Sequence, residues 1–132
     1  MAKFWFDHIH IFCTDIDRAV RFYEDNFGAE FQALHDYGDG KRAARLDLDG
    51  VEILISNADA DHQPGLHHIG FRTEDLEEAA VDLRRGGCDV PDEFIEVNNN
   101  FKLVHIRAMP ENVDIELQNA TIDNIPLAEL RS

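Results

Sequence analysis

Two histidines and one glutamate stand where the chain could hold a metal ion. His8 and His68 each lie in a short apolar segment, and Glu116 is flanked by Ile115 and Leu117 in a third. Imidazole nitrogens and a carboxylate oxygen are the donors of many divalent-metal sites. The alternative is that both histidines are structural and that the glutamate is an exposed strand residue. The pairing of the two histidines within a repeat, described next, favours ligation.

The chain repeats itself at an offset of 60 residues. The segment DHIHI at 7–11 returns as HHIGF at 67–71, so His8 and His68 are equivalent. The same offset pairs Asp15 with Asp75, and each aspartate precedes a segment with the apolar spacing of an amphipathic helix.

Near the ends of the two halves the offset becomes 62. Residues 50–58 then lie over 112–120, so Leu54 matches Glu116, and Arg45 matches Arg107. These matches predict a net two-residue insertion in the second half, which we place around the turn-rich triplet 98–100.

Each half therefore reads as a strand, a helix and three strands, which predicts the α+β class with two tandem βαβββ modules. The expected domain organisation is a first module at 1–58, a linker at 59–65, a second module at 66–120 and a C-terminal tail at 121–132. The expected elements of the first half are 5–12, 15–27, 29–36, 41–48 and 51–56. Those of the second are 66–73, 75–86, 90–97, 101–108 and 112–118.

The composition limits the classes of function. Twelve basic and 27 acidic residues leave a net charge of −15, which argues against nucleic acid and anionic membranes as partners. The absence of a long apolar run and of a signal-peptide pattern predicts a cytoplasmic protein. Cys13 and Cys88 form no CxxC pair, which favours reduced thiols over a disulfide.

The doubled module resembles the vicinal oxygen chelate superfamily, which includes glyoxalases, bleomycin-resistance proteins, methylmalonyl-CoA epimerases and extradiol dioxygenases. The stretches that carry the resemblance are 7–9 with Asp15, 65–69 with Asp75, and 110–117. In that family each module's strands form a U-shaped mixed sheet, and two modules enclose a cleft. The resemblance also implies a small-molecule substrate and a homodimer.

The resemblance implies metal ligands on the first and last strands of each module, at His8, Leu54, His68 and Glu116. Leucine cannot coordinate a metal, so His8, His68 and Glu116 remain as a 2-His-1-carboxylate set that leaves positions open. This set is similar to that of the extradiol dioxygenases and favours Fe(II). The alternatives are Mn(II), Co(II), Ni(II) and Zn(II), which suit Lewis-acid chemistry.

Two further histidines are the predicted catalytic residues. His10 lies two residues from His8 and faces the same way, about 6.7 Å along the strand. It suits an acid/base role, a group supporting the ligands or an alternative ligand, because imidazole titrates near neutral pH. His105 lies near the position of an acid/base tyrosine in the extradiol dioxygenases, and the alternative is an exposed histidine.

The leading expectation is thus a metal-dependent enzyme that acts on a small oxygen-chelating substrate, with an extradiol-type dioxygenase slightly ahead. A lyase or isomerase of the glyoxalase or epimerase kind is the first alternative. The second is a metal-free protein that binds a small molecule such as an antibiotic, against which the ligand set and the single Trp and two Tyr residues argue.

Overall fold

A computed structural model describes residues 1–98, 101–106, 111 and 113–119. Its elements run strand, helix and three strands, twice over, so the predicted α+β class with two βαβββ repeats is confirmed. The described residues form two compact units, namely residues 8–67 (the first unit) and residues 1–7 with those described from 68 onward (the second unit). In chain order the elements are β1 (Trp5–Cys13), α1 (Ile16–Phe27), β2 (Glu30–Gly38), β3 (Lys41–Leu48), β4 (Val51–Asn57), β5 (Gly65–Arg72), α2 (Leu76–Arg85), β6 (Ile95–Asn98), β7 (Phe101–Ile106) and β8 (Ile115–Gln118).

The first unit is a four-stranded sheet with α1 packed on one face. Its strand order is β2-β3-β4-β1, with β1 and β4 parallel and the other neighbours antiparallel. The carboxylate of Asp15 caps α1 by accepting the N–H of Arg18, and Gly28 ends the helix with a φ of 73°. The buried core between helix and sheet consists of Ile16, Val20, Ala29, Ala44, Leu46, Ile53 and Ile55.

The second unit repeats this construction. Its strand order is β5-β8-β7-β6, with β5 and β8 parallel, and the side chain of Asp75 caps α2 through the N–H of Glu78. The buried core consists of Leu76, Ala79, Ala80, Val90, Val104, Ile106 and Leu117. Neither helix of the described residues is long and apolar enough to cross a membrane.

The strand registers place the repeat's length difference in the connection between β7 and β8. Leu46 on β3 stands opposite Ile53 on β4, and Ile106 on β7 stands opposite Ile115 on β8. Equivalent residues of β3 and β7 are therefore 60 positions apart, and equivalent residues of β4 and β8 are 62 positions apart. The intervening residues are 47–52 in the first unit and 107–114 in the second, so the second connection is two residues longer.

The predicted insertion at 98–100 is therefore wrong. Gly38 pairs with Lys41 and Asn98 pairs with Phe101, so the connections before β3 and before β7 have the same length. The prediction failed because Arg45 and Arg107 match by chance at the later offset. The counterpart of Arg45 is His105, and residue 107 lies outside the described residues.

The strand expected at 90–97 is short in the structure, where β6 covers only Ile95–Asn98. The guanidinium of Arg84 donates to the carbonyl of Val90 (3.2 and 3.3 Å) and to that of Pro91 (3.1 Å). Pro91 has no N–H to donate to a strand ladder. The carbonyls of Val90 and Pro91 are thus bonded to Arg84, and Pro91 lacks an N–H. Strand pairing therefore starts only after these residues.

The reactivity of Cys13 reports how well the side of β1 that faces α1 is shielded from solvent. Both cysteines are free, as predicted, and Cys13 packs against the core of the first unit, where burial raises the pKa of its thiol. Since the thiolate is the reactive form, we expect iodoacetamide to label Cys13 more slowly in the native protein than in urea at pH 8. Equal rates by mass spectrometry would show that this face of β1 is open to solvent.

Candidate active site

The polar residues of interest lie on the sheet faces that the helices leave uncovered. On β1, Ile9 and Ile11 pack against the α1 core, and on β8, Leu117 belongs to the α2 core. Because strand side chains alternate, His8 and His10 point away from α1, and Glu116 points away from α2. The helix-covered faces therefore build the two cores, and the opposite faces carry the titratable groups.

In the second unit, His68 and Glu116 meet. His68 Nε2 lies 3.2 Å from Glu116 Oε2, and the residues are only 4% and 8% exposed. A carboxylate buried to this extent is costly unless it is paired or coordinates a metal. The structure thus brings two of the three predicted ligands into contact.

His105 on β7 also lies close to the carboxylate of Glu116. It stands opposite Glu116 in the strand register, with its Nε2 3.7 Å from Glu116 Oε2. Its other nitrogen, Nδ1, donates to Asp114 Oδ1 at 2.9 Å, because an ionised carboxylate can only accept. The hydrogen bond at Nδ1 therefore orients the imidazole, and its ring is perpendicular to that of His68 at 5.5 Å.

Asp114 is a residue whose role the sequence analysis missed. It lies two residues before Glu116, so the strand alternation already places both carboxylates on one face. What the sequence lacked was the register of β7 against β8, because the connection between the two strands is lengthened. Without that register, the closeness of Asp114 to His105 could not be read from spacing.

In the first unit, His8 is buried (4% exposed) and lies beside Glu52 in the parallel pairing of β1 with β4. Glu52 Oε1 in turn accepts from Arg45 Nε at 2.7 Å. The sequence analysis did not anticipate this pair. Since His8 belongs to the first unit, its partnership with His68 and Glu116 stays a prediction.

Leu54 occupies in the first unit the position that Glu116 holds in the second. Leu54 stands beside His10 in the pairing of β1 with β4, just as Glu116 stands beside Gly70 in that of β5 with β8. Leu54 is buried and apolar. The predicted asymmetry of the repeat is therefore confirmed at the level of strand register.

His10 is fully buried, at 0% exposure. Its Nε2 is 2.9 Å from Ser56 Oγ, and its ring stacks on Phe12 at 4.7 Å. These contacts favour a structural histidine over one that meets substrate. Its predicted catalytic role stays a prediction.

A cavity of about 250 Å³ opens beside this cluster in the first unit. His62 forms one wall, stacked flat on Phe12 at 4.4 Å, and its Nδ1 is 2.9 Å from Asp59 Oδ1. The hydrogen bond from the His62 side chain lowers the pKa of Asp59 below its ordinary value. The remaining lining residues include Tyr37, Lys41, Arg42 and Ser56.

The donor chemistry of the second unit fits a divalent metal. His68 and Glu116 offer an imidazole nitrogen and a carboxylate oxygen in a buried position. The residues present are thus compatible with the divalent ion that the sequence predicts.

Comparison with known proteins gives structural relatives at low identity. Hypothetical protein BH1468 from Bacillus halodurans C-125 is 18% identical, with a TM-score of 0.73 over 90% of this chain and 96% of that one. Methylmalonyl-CoA epimerase from Mycobacterium tuberculosis is 24% identical, with a TM-score of 0.67 over 89% of each chain. At these identities, both likenesses concern the fold alone.

A methylmalonyl-CoA epimerase variant from Streptomyces coelicolor is 26% identical, with a TM-score of 0.59 over 87% of this chain and 96% of that one. That structure is a complex with 2-nitronate-propionyl-CoA. A search of curated proteins found no match.

The family comparison covers most of the chain. Residues 5–96 match the family described as the Glyoxalase/Bleomycin resistance protein/Dioxygenase superfamily. This span includes the whole first βαβββ repeat together with β5 and α2 of the second. The chain belongs to the glyoxalase/bleomycin resistance protein/dioxygenase superfamily.

Proposed function

We propose that the protein is a divalent-metal-dependent enzyme with His8, His68 and Glu116 as ligands and His105 as the acid/base residue. The observation that carries the proposal is the contact of one buried carboxylate, that of Glu116, with two imidazoles at 3.2 and 3.7 Å. The equivalence of His8 with His68 in the repeat supplies the third ligand. A metal-free binding protein does not require this donor set.

The reaction we favour moves a proton at a carbon next to a carbonyl, as in epimerases. A bound divalent ion would act as a Lewis acid on the substrate carbonyl. Asp114 holds the Nδ1–H of His105, so Nε2 is left to take the proton from carbon. The likeness to an epimerase that binds a CoA thioester analogue supports this class of substrate.

Extradiol-type ring cleavage is the second candidate, and Leu54 is the residue that favours it. A three-ligand set leaves more positions open for substrate and O₂ than a four-ligand set does. The position that would carry a fourth ligand holds a buried leucine. In that case Fe(II) is the expected ion, whereas Mn(II), Co(II), Ni(II) or Zn(II) would serve proton transfer.

One experiment separates these reactions. Purified protein is assayed for metal by mass spectrometry and then offered methylmalonyl-CoA in D₂O or catechol in air-saturated buffer. Deuterium incorporation next to the thioester supports the epimerase type, and O₂ uptake supports the dioxygenase. Protein that holds no metal and takes up none of the five divalent ions would contradict the proposal.

The same assays test His105. We expect Asp114→Asn to slow turnover by about 10- to 100-fold while metal content stays near that of the wild type, because Asp114 only orients the imidazole. His105→Gln should cost at least as much. Glu96→Gln on the exposed β6 is the matched control and should leave both quantities unchanged. Full activity of the Asp114 variant would rule out the assigned role of His105.

A further inference from the structure

A buried ion pair lies beside His8 in the first unit. Arg45 Nε donates to Glu52 Oε1 at 2.7 Å, and the two residues are 8% and 4% exposed. Charged residues are rarely this buried, and removing one partner leaves the other charge uncompensated. The pair lies on the sheet face opposite α1, because Leu46 and Ile53 on the same strands point into the core.

This ion pair is the repeat equivalent of the pair formed by His105 and Asp114. Arg45 stands opposite Leu54, and His105 stands opposite Glu116. Glu52 precedes Leu54 by two residues, as Asp114 precedes Glu116. Each unit thus joins the same two positions by a hydrogen bond from a nitrogen-bearing side chain to a carboxylate. The donor is an imidazole in the second unit and a permanently charged guanidinium in the first.

Glu52 is also well placed to become a ligand. It lies beside His8 in the strand register, and a carboxylate oxygen of Glu52 lies within 4.8 Å of a ring nitrogen of His8. Carboxylate oxygens are common donors to divalent metals, so Glu52 lies within reach of a metal bound to His8. The short hydrogen bond to Arg45 instead directs it toward β3.

We propose that Arg45 is a positioning residue that holds Glu52 away from the metal, so that the first unit contributes His8 alone. This inference rests on the proposed metal site. Leu54 removes one carboxylate from the first half of the repeat, and Arg45 engages the other. Together they keep coordination positions open for substrate oxygens, so Arg45 sets how many ligands the protein supplies.

The test measures metal binding, independently of turnover. Affinity for Co(II) is determined by chelator competition, and the visible absorption of the Co(II) protein reports coordination number. We expect Glu52→Gln to match the wild type in both readouts. We expect Arg45→Met to bind at least about tenfold more tightly, with weaker absorption bands from an added ligand. The double variant R45M/E52Q should return to the wild-type spectrum, and Arg45→Lys, which keeps the charge, should retain it.

Two results would count against the inference. A changed Co(II) spectrum together with loss of affinity in E52Q would make Glu52 a ligand in the wild type. An R45M protein with wild-type affinity and spectrum would show that Arg45 does not keep Glu52 from the metal. Should R45M fail to fold, Arg45→Gln replaces it under the same criteria. Wild-type protein that binds no Co(II) would instead refute the proposed metal site itself, which keeps the two failures apart.

Discussion

Replacing His68 by alanine is expected to lower metal affinity by more than about 100-fold, since even changes to groups that merely support a ligand cost 10- to 100-fold. His68 Nε2 lies 3.2 Å from Glu116, and the protein supplies only three ligands under our proposal. Leu54 cannot take over a lost ligand. Metal content and affinity of the purified variant, measured by mass spectrometry and chelator competition, give the result.

His35→Ala is the matched control for this loss. His35 lies on β2 and is only partly buried, with its ring against Tyr37 at 4.0 Å. We expect it to bind metal as the wild type does. Added metal should also raise the melting temperature of wild type and H35A but not that of H68A, because only a folded site binds the ion. An H68A protein that retained one tightly bound metal would exclude His68 as a ligand.

Replacing Ile55 by alanine is expected to lower the free energy of unfolding by about 2–5 kcal/mol. Ile55 is fully buried in the core beneath α1, and the truncation leaves a cavity that rigid neighbours on the strands cannot fill. Urea unfolding followed by circular dichroism measures the difference. Ile95→Ala, on an isoleucine that is 55% exposed on β6, should change stability by no more than about 0.5 kcal/mol. Similar losses in both variants would contradict the assignment of the core.

The fold could be predicted largely because the sequence pattern of the βαβββ module occurs twice in the chain. The helix caps Asp15 and Asp75, the apolar periods that follow them and the paired histidines each agree with their repeat partner. Two strands of the second half are shorter than predicted: β6 covers Ile95–Asn98 where 90–97 was expected, and β8 begins at Ile115 where 112 was expected. The start of β6 depends on where the side chain of Arg84 goes. A side-chain contact of this kind, only six or seven residues along the chain, leaves no trace in the apolar periodicity.

The candidate site was predictable only in part, for a related reason. Alternation along a strand shows which face a residue occupies, and it correctly placed Glu116 away from the core. It does not show which neighbour across the sheet will meet that residue, because this depends on register. The partnerships of Glu52 with Arg45 and of Asp114 with His105 are contacts of this cross-strand kind.

The longer connection between β7 and β8 also bears on how the two halves came to differ. In the first unit the corresponding hairpin closes through Asp49 and Gly50, whose φ angles of 52° and 85° leave little freedom to insert or delete residues. In the second unit the connection is two residues longer, and β7 and β8 still pair as β3 and β4 do. After duplication, one copy could thus preserve the scaffold while the other varied beside Asp114 and Glu116. The half with the longer connection is the one in which we expect related proteins to have acquired new substrates.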